Sequence, residues 1–112
     1  MKTICFDIDN TICKTEKNYY KKSRPIKIII KTINDLYSKG FIIKLYTARG
    51  MGSSNDNTRM AEKKIKKITI AQLKKWKLNY HKIFFGKPSA DIYIDDKSIF
   101  FHDKWYKDIN KI

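Results

Sequence analysis

Apolar positions along the chain follow two periods. Residues 3–8, TICFDI, form a β-branched run bounded by Asp-Asn-Thr, the pattern of a buried strand. Residues 12–24 are polar with paired Tyr19 and Tyr20, and read as a loop or small flap. Pro25 at a first helical position predicts a helix to about Ser38, with Ile26, Ile29, Ile30, Ile33, Leu36 and Tyr37 on one face and Gly40 as its stop. FIIKLYT at 41–47 is a second strand, closed by Ala48-Arg49-Gly50. Residues 50–58 are the most loop-like stretch, and the lysine-rich segment after them reads as partly helical. Thr69 and Gln72 have capping-box spacing, which predicts a helix opening there and running to about Leu78, with Leu73 and Trp76 buried. HKIFF at 81–85 and DIYID at 91–95 are the third and fourth strands, and the aromatic, amphipathic stretch 98–112 reads as a last helix or strand plus helix.

Strand–helix–strand alternation with near-continuous apolar strands predicts an α/β fold with a parallel sheet covered on both faces. The length, 112 residues, fits one domain, residues 1–112. In such sheets ligands bind beyond the carboxyl ends of the strands, where the strand order reverses. The chemically conspicuous residues all sit just past a strand: Asp7, Asp9 and Thr11 after the first, Thr47 after the second, Lys87 after the third, Asp95 and Asp96 after the fourth. Taken singly, each is an ordinary turn former, helix cap or solvated side chain. Taken together, they bring polar groups from four strand ends to one edge.

Charge changes this picture less than its size implies. Lys and Arg number 25 against 11 Asp and Glu, a net charge of +14, but 22 of the cations are Lys and only Arg24, Arg49 and Arg59 are Arg. Phosphate and base recognition favours the bidentate Arg fork. The lysines are also spread along the chain, as are 19 Ile, so the basicity reads mainly as solvated surface and weighs against a nucleic-acid footprint. The acids say more. Four of the eleven, Asp7, Asp9, Asp95 and Asp96, stand at the ends of apolar runs rather than among the lysines.

Asp7, Asp95 and Asp96 brought together would repel one another unless a cation neutralised them. Oxygen donors without His or Cys suit Mg²⁺ better than zinc. Thr47 and Lys87 then offer a hydroxyl donor and a positive charge to phosphoryl oxygens. A carboxylate can attack phosphorus to form an aspartyl-phosphate, with metal and lysine offsetting the charge that develops. Cys5 and Cys13 make no metal or disulfide framework and read as reduced thiols, Cys5 in the core. No window approaches ~18 uncharged apolar residues, so no membrane span is expected. The first residues lack an apolar signal core, which makes a cytoplasmic location the expectation.

FDIDNT (6–11), LYTARG (45–50), GKPSAD (86–91) and YIDDK (93–97) resemble, in order, the four signatures of the haloacid dehalogenase superfamily of phosphohydrolases. The resemblance spans residues 3–97. Within the superfamily, TARGM and GKPSADIYIDDK look like the short phosphatases associated with capsular polysaccharide biosynthesis. It implies a Rossmann-like three-layer α/β/α fold and a small phosphorylated metabolite, such as a sugar phosphate, as substrate. It also implies that Asp7 is the nucleophile and a Mg²⁺ ligand, and that Asp9 is general acid and then base, with its carbonyl on the metal. Thr11 would support the loop and belong with Thr47 and Lys87 to the substrate-binding set, in which Thr47 bonds the phosphoryl group and Lys87 bridges nucleophile and phosphate. Asp95 and Asp96 would complete the metal site, Asp95 as the first choice for the second metal carboxylate and Asp96 through water or as an orienting partner, an order that the sequence leaves open between the two. Ala48 and Arg49 follow Thr47 as expected substrate contacts, a structural salt bridge being the alternative for Arg49. The intervals between the signatures are filled by the flap, helices and strands already assigned, so no full cap domain fits. The site is then open, or covered by the 12–24 flap, the 50–68 segment or a second copy of the chain. Two other functions compete: a phosphatase of nucleic-acid ends, and a receiver-like phosphoacceptor module without turnover. The Asp-x-Asp order at the first strand does not match the latter.

Overall fold

The computed structural model describes residues 2–17, 19–49, 58–86 and 90–96. Its elements are β1 (Thr3–Asp7), β2 (Cys13–Lys14), a 3₁₀ turn (Tyr20–Lys22), β3 (Arg24–Pro25), α1 (Lys27–Ser38), β4 (Ile42–Tyr46), α2 (Thr58–Lys75), β5 (Lys82–Phe84) and β6 (Ile92–Ile94). The main sheet has strand order β5-β4-β1-β6, and each of its pairings is parallel. From β1 the chain steps outward to β4 and β5, then returns to place β6 on the other side of β1. The carboxyl end of β1 is therefore the switch point, where a parallel sheet opens a crevice.

Register explains the core. Ile4 pairs with Ile43 and Phe6 with Leu45, so these four share one face. They cluster with Ile30 and Ile33 of α1, Leu73 of α2 and Leu78 just beyond it. The opposite face carries Cys5 beside Lys44 and Tyr93, then Asp7 beside Tyr46. Segments 50–57 and 98–112, for which a loop and a final element are expected, lie outside the described residues.

Two local expectations are corrected, for Pro25 and Thr69, and a third, the flap, gains detail. Pro25 does not open α1; it ends β3, paired with Cys13, and the helix starts at Lys27 after an extended Ile26. The 12–24 flap is a two-stranded ribbon carrying a 3₁₀ turn, tied back by the Ile26 N–H donating to the Ile12 carbonyl at 2.9 Å. No helix begins at Thr69, because α2 runs unbroken from Thr58. The Thr69 hydroxyl instead donates to the Ile65 carbonyl one turn earlier at 2.7 Å, a bond available only inside a helix.

Helices α1 and α2 end in the same way. After α1, the Phe41 N–H reaches the Leu36 carbonyl and the Gly40 N–H the Tyr37 carbonyl, with Gly40 at φ +96°. After α2, the Leu78 and Lys77 N–H groups reach the Leu73 and Lys74 carbonyls, with Lys77 at φ +57°. These are paired left-handed C-caps, one built on glycine as the sequence predicts and one on lysine. Asn34 of α1 clamps the second, donating to the Lys77 carbonyl at 3.0 Å and accepting the Asn79 N–H at 2.7 Å.

Candidate functional site

The crevice at the switch point has a volume of about 400 Å³ and is lined by Asp7, Asp9, Asn10, Tyr20, Tyr46, Thr47, Ala48, Arg49, Gly86, Asp95 and Asp96. Strand β1 ends on Asp7, β4 leads into Thr47, and β6 leads into Asp95 and Asp96. The turn after β1 is set by the Ile8 carbonyl, which accepts N–H groups from Thr11, Ile12 and Cys13. Asn10 takes the left-handed conformation (φ +60°) that this turn needs, and its side chain accepts the Thr15 N–H at 3.1 Å. Asp7 and Asp9 are thereby both delivered to the crevice.

Carboxylate oxygens of Asp7, Asp95 and Asp96 lie within 4.8 Å of one another. The Ile8 N–H donates to Asp7 Oδ1 at 2.8 Å, yet burial, followed by the charge of Asp95, pushes the Asp7 carboxyl from its ordinary 3.8 up to about 7. Asp96 and Asp9 add to the shift. The Tyr46 hydroxyl donates to Asp95 Oδ2. Burial, with that bond, raises the tyrosine well above its ordinary range and keeps it a donor. This triad could hold a metal ion: the donors are hard oxygens, no His or Cys is among them, and their mutual repulsion is what a cation would relieve.

Thr47 is 1% exposed. Its N–H donates to the Phe84 carbonyl, and its hydroxyl accepts the Arg49 N–H at 3.1 Å. Ala48 is exposed on the crevice wall. Lys87 lies outside the described residues; its neighbour Gly86 borders the crevice in a left-handed conformation, φ +143°. Two expectations change. Thr11 does not line the crevice, and its hydroxyl oxygen is buried without a partner among the described residues.

Arg49 is the second correction. Its guanidinium is fully buried and committed to protein partners rather than to substrate. Nε donates to both oxygens of Asp9 at 3.1 Å, and Nη2 to Asp9 Oδ1 at 2.8 Å and Ser23 Oγ at 3.1 Å. Nη1 donates to Thr69 Oγ1 at 3.1 Å and Gln72 Oε1 at 2.7 Å. All five N–H donors are thus engaged. The Tyr20 ring of the flap covers the guanidinium, 4.8 Å from centroid to Cζ. Burying a guanidinium without this set would cost several kcal/mol, on the order of a lost buried ion pair.

Tyr46 lines the crevice, while Thr15, Ser23, Thr69 and Gln72 bond Asp9 or Arg49 from outside it; the sequence alone points to none of these roles. For Thr69 and Gln72 the signal was visible but ambiguous, since i and i+3 define both a capping box and two side chains sharing one helix face. No family model and no curated protein matches the chain. Among solved structures, the chain is similar to the crystal structure of an MCSG target from Vibrio cholerae. The two are 24% identical over 99% of this chain and 98% of that one, with a TM-score of 0.58. That likeness, together with the parallel sheet and helices α1 and α2, shows a small Rossmann-like α/β fold.

Proposed function

We propose that the chain is a Mg²⁺-dependent phosphohydrolase of the haloacid dehalogenase type, removing phosphate from a small phosphomonoester through an aspartyl-phosphate on Asp7. The observation that carries this reading is the convergence of Asp7, Asp95 and Asp96 at the switch point, with Asp9 alongside. Asp7, Asp95 and Asp96 would hold the cation, which when bound neutralises their charge and draws electron density from the phosphoryl oxygens.

An Asp7 oxygen forms a bond to phosphorus as the bond from phosphorus to the leaving oxygen breaks, and Asp9 gives that oxygen a proton. Water then attacks the acyl phosphate, Asp9 takes its proton, the bond to Asp7 breaks and inorganic phosphate leaves. The Thr47 hydroxyl already accepts the Arg49 N–H, which turns its own hydrogen toward an acceptor such as a phosphoryl oxygen. Lys87 is the expected cation beside the phosphate. The resemblance of the signatures favours a sugar phosphate or related intermediate of surface-polysaccharide synthesis as substrate.

The test is hydrolysis of 4-nitrophenyl phosphate with Mg²⁺, with EDTA, and by Asp7→Asn. Turnover that chelation stops, Mg²⁺ restores and Asp7→Asn lacks supports the reading. Absence of turnover, indifference to chelator, or substantial activity in Asp7→Asn sinks it. A hollow where Arg24, Lys27, Lys31 and Lys75 outnumber the single acid Asp35 favours a second reading, a phosphatase of nucleic-acid ends. A steep loss of activity with salt on oligonucleotide 3′-phosphates, absent for 4-nitrophenyl phosphate, distinguishes it.

A further inference from the structure

Asp9 is the residue asked to move the proton, and its two oxygens have unequal surroundings. Oδ1 accepts from Thr15 Oγ1 at 2.6 Å, from Arg49 Nη2 at 2.8 Å and from Arg49 Nε at 3.1 Å, with the Cys13 thiol at 3.9 Å. Oδ2 accepts only from Arg49 Nε, at 3.1 Å, among the described residues. One oxygen is fully occupied by protein donors while the other keeps lone-pair capacity for a ligand.

The orientation of that carboxylate is inherited from the plane of the Arg49 guanidinium, and the plane is pinned from its far edge by α2. Gln72 accepts from Nη1 through Oε1, and its amide nitrogen donates to the Tyr20 carbonyl of the flap. Thr69 accepts from Nη1 and passes its own hydrogen to the Ile65 carbonyl. Every link runs in one donor-to-acceptor direction, so neither side chain can turn without orphaning a buried group. Thr69 is fully buried, and among the described residues its one hydrogen bond to a group lining the crevice is the one it accepts from Arg49.

Building on the proposed function, we propose that Thr69 and Gln72 are positioning residues for proton transfer: they hold Arg49 so that Asp9 Oδ2, and not Oδ1, faces the leaving oxygen. A strongly basic alkoxide needs that proton to depart, whereas 4-nitrophenolate departs without it. General-acid help is typically worth ~10²–10⁴-fold, so misaligning the acid removes a large part of it from one ester and little from the other.

The experiment compares kcat/KM, which reports only through release of the leaving group, for an alkyl phosphate and for 4-nitrophenyl phosphate. It uses wild type, Thr69→Val, Thr69→Ser and Gln72→Met with Mg²⁺ present. Thr69→Val and Gln72→Met are expected to lose about 10- to 100-fold on the alkyl ester and less than about threefold on the nitrophenyl ester. Orthovanadate inhibition should be unchanged. Thr69→Ser retains the hydroxyl, and should keep the wild-type ratio of the two substrates even if Thr69→Val folds poorly. Equal losses on both esters, no loss on either, or a Thr69→Ser ratio unlike wild type would overturn the proposal while leaving the phosphatase reading in place. A wild-type protein that hydrolyses neither ester overturns both.

Discussion

Replacing Asp7 by Asn should make the metal-free protein more stable while removing its activity. The Asp7 carboxyl is pushed from 3.8 up to about 7, first by burial and then by Asp95. Each pKa unit corresponds to about 1.36 kcal/mol, so ionising Asp7 in the folded chain costs at most about 4 kcal/mol. Asp7 is only half-buried, and solvent screening reduces the usable figure to about 2 kcal/mol. Asn keeps an oxygen to accept the Ile8 N–H at 2.8 Å and drops the charge. The sign follows from proton binding. As pH rises from about 4 to about 7, the folded state holds a proton that the unfolded state has released, so wild-type stability falls across that window and levels off above it. Thermal unfolding in EDTA should therefore show Asp7→Asn melting about 5–10 °C above wild type near pH 8, the gap closing toward pH 4.5. Added Mg²⁺ should raise the wild type and narrow the gap, since binding to the folded state alone stabilises it. A gap independent of pH, or an Asp7→Asn protein that melts lower near pH 8, would refute the idea that the carboxylates are crowded against their own charge.

Other consequences are simpler to measure. Lys77 holds a left-handed conformation (φ +57°) at the end of α2, so Lys77→Gly should gain about 0.5–1 kcal/mol in urea unfolding. Leu73 is fully buried between α2 and the sheet, and Leu73→Ala should lose about 2–5 kcal/mol by the same measurement. Tyr46→Phe removes the donor that orients Asp95, and should raise the Mg²⁺ concentration for half-maximal activation about 10- to 100-fold without changing the fold by circular dichroism.

The sequence was enough to locate the sheet and the edge of the site. Runs such as TICFD and IIKLY are short, apolar and rich in isoleucine, the composition of a strand, and polar residues directly after them emerge where the strands end. Asp7, Thr47, Asp95 and Asp96 were legible for that reason, and Gly40 marked the end of α1 because only a left-handed residue completes that cap. What lay beyond the sequence were relations between residues far apart in the chain. Arg49 reads equally well as a substrate contact and as an ion-pair partner, and only packing brings Asp9, Ser23, Thr69 and Gln72 around it. Thr69 and Gln72 look like a helix start because their spacing is local information, whereas their partner is 20 or more residues away. Hydrophobic periodicity is written residue by residue, but a buried charge is satisfied by whichever donors and acceptors the tertiary fold happens to deliver, and no local pattern encodes that delivery.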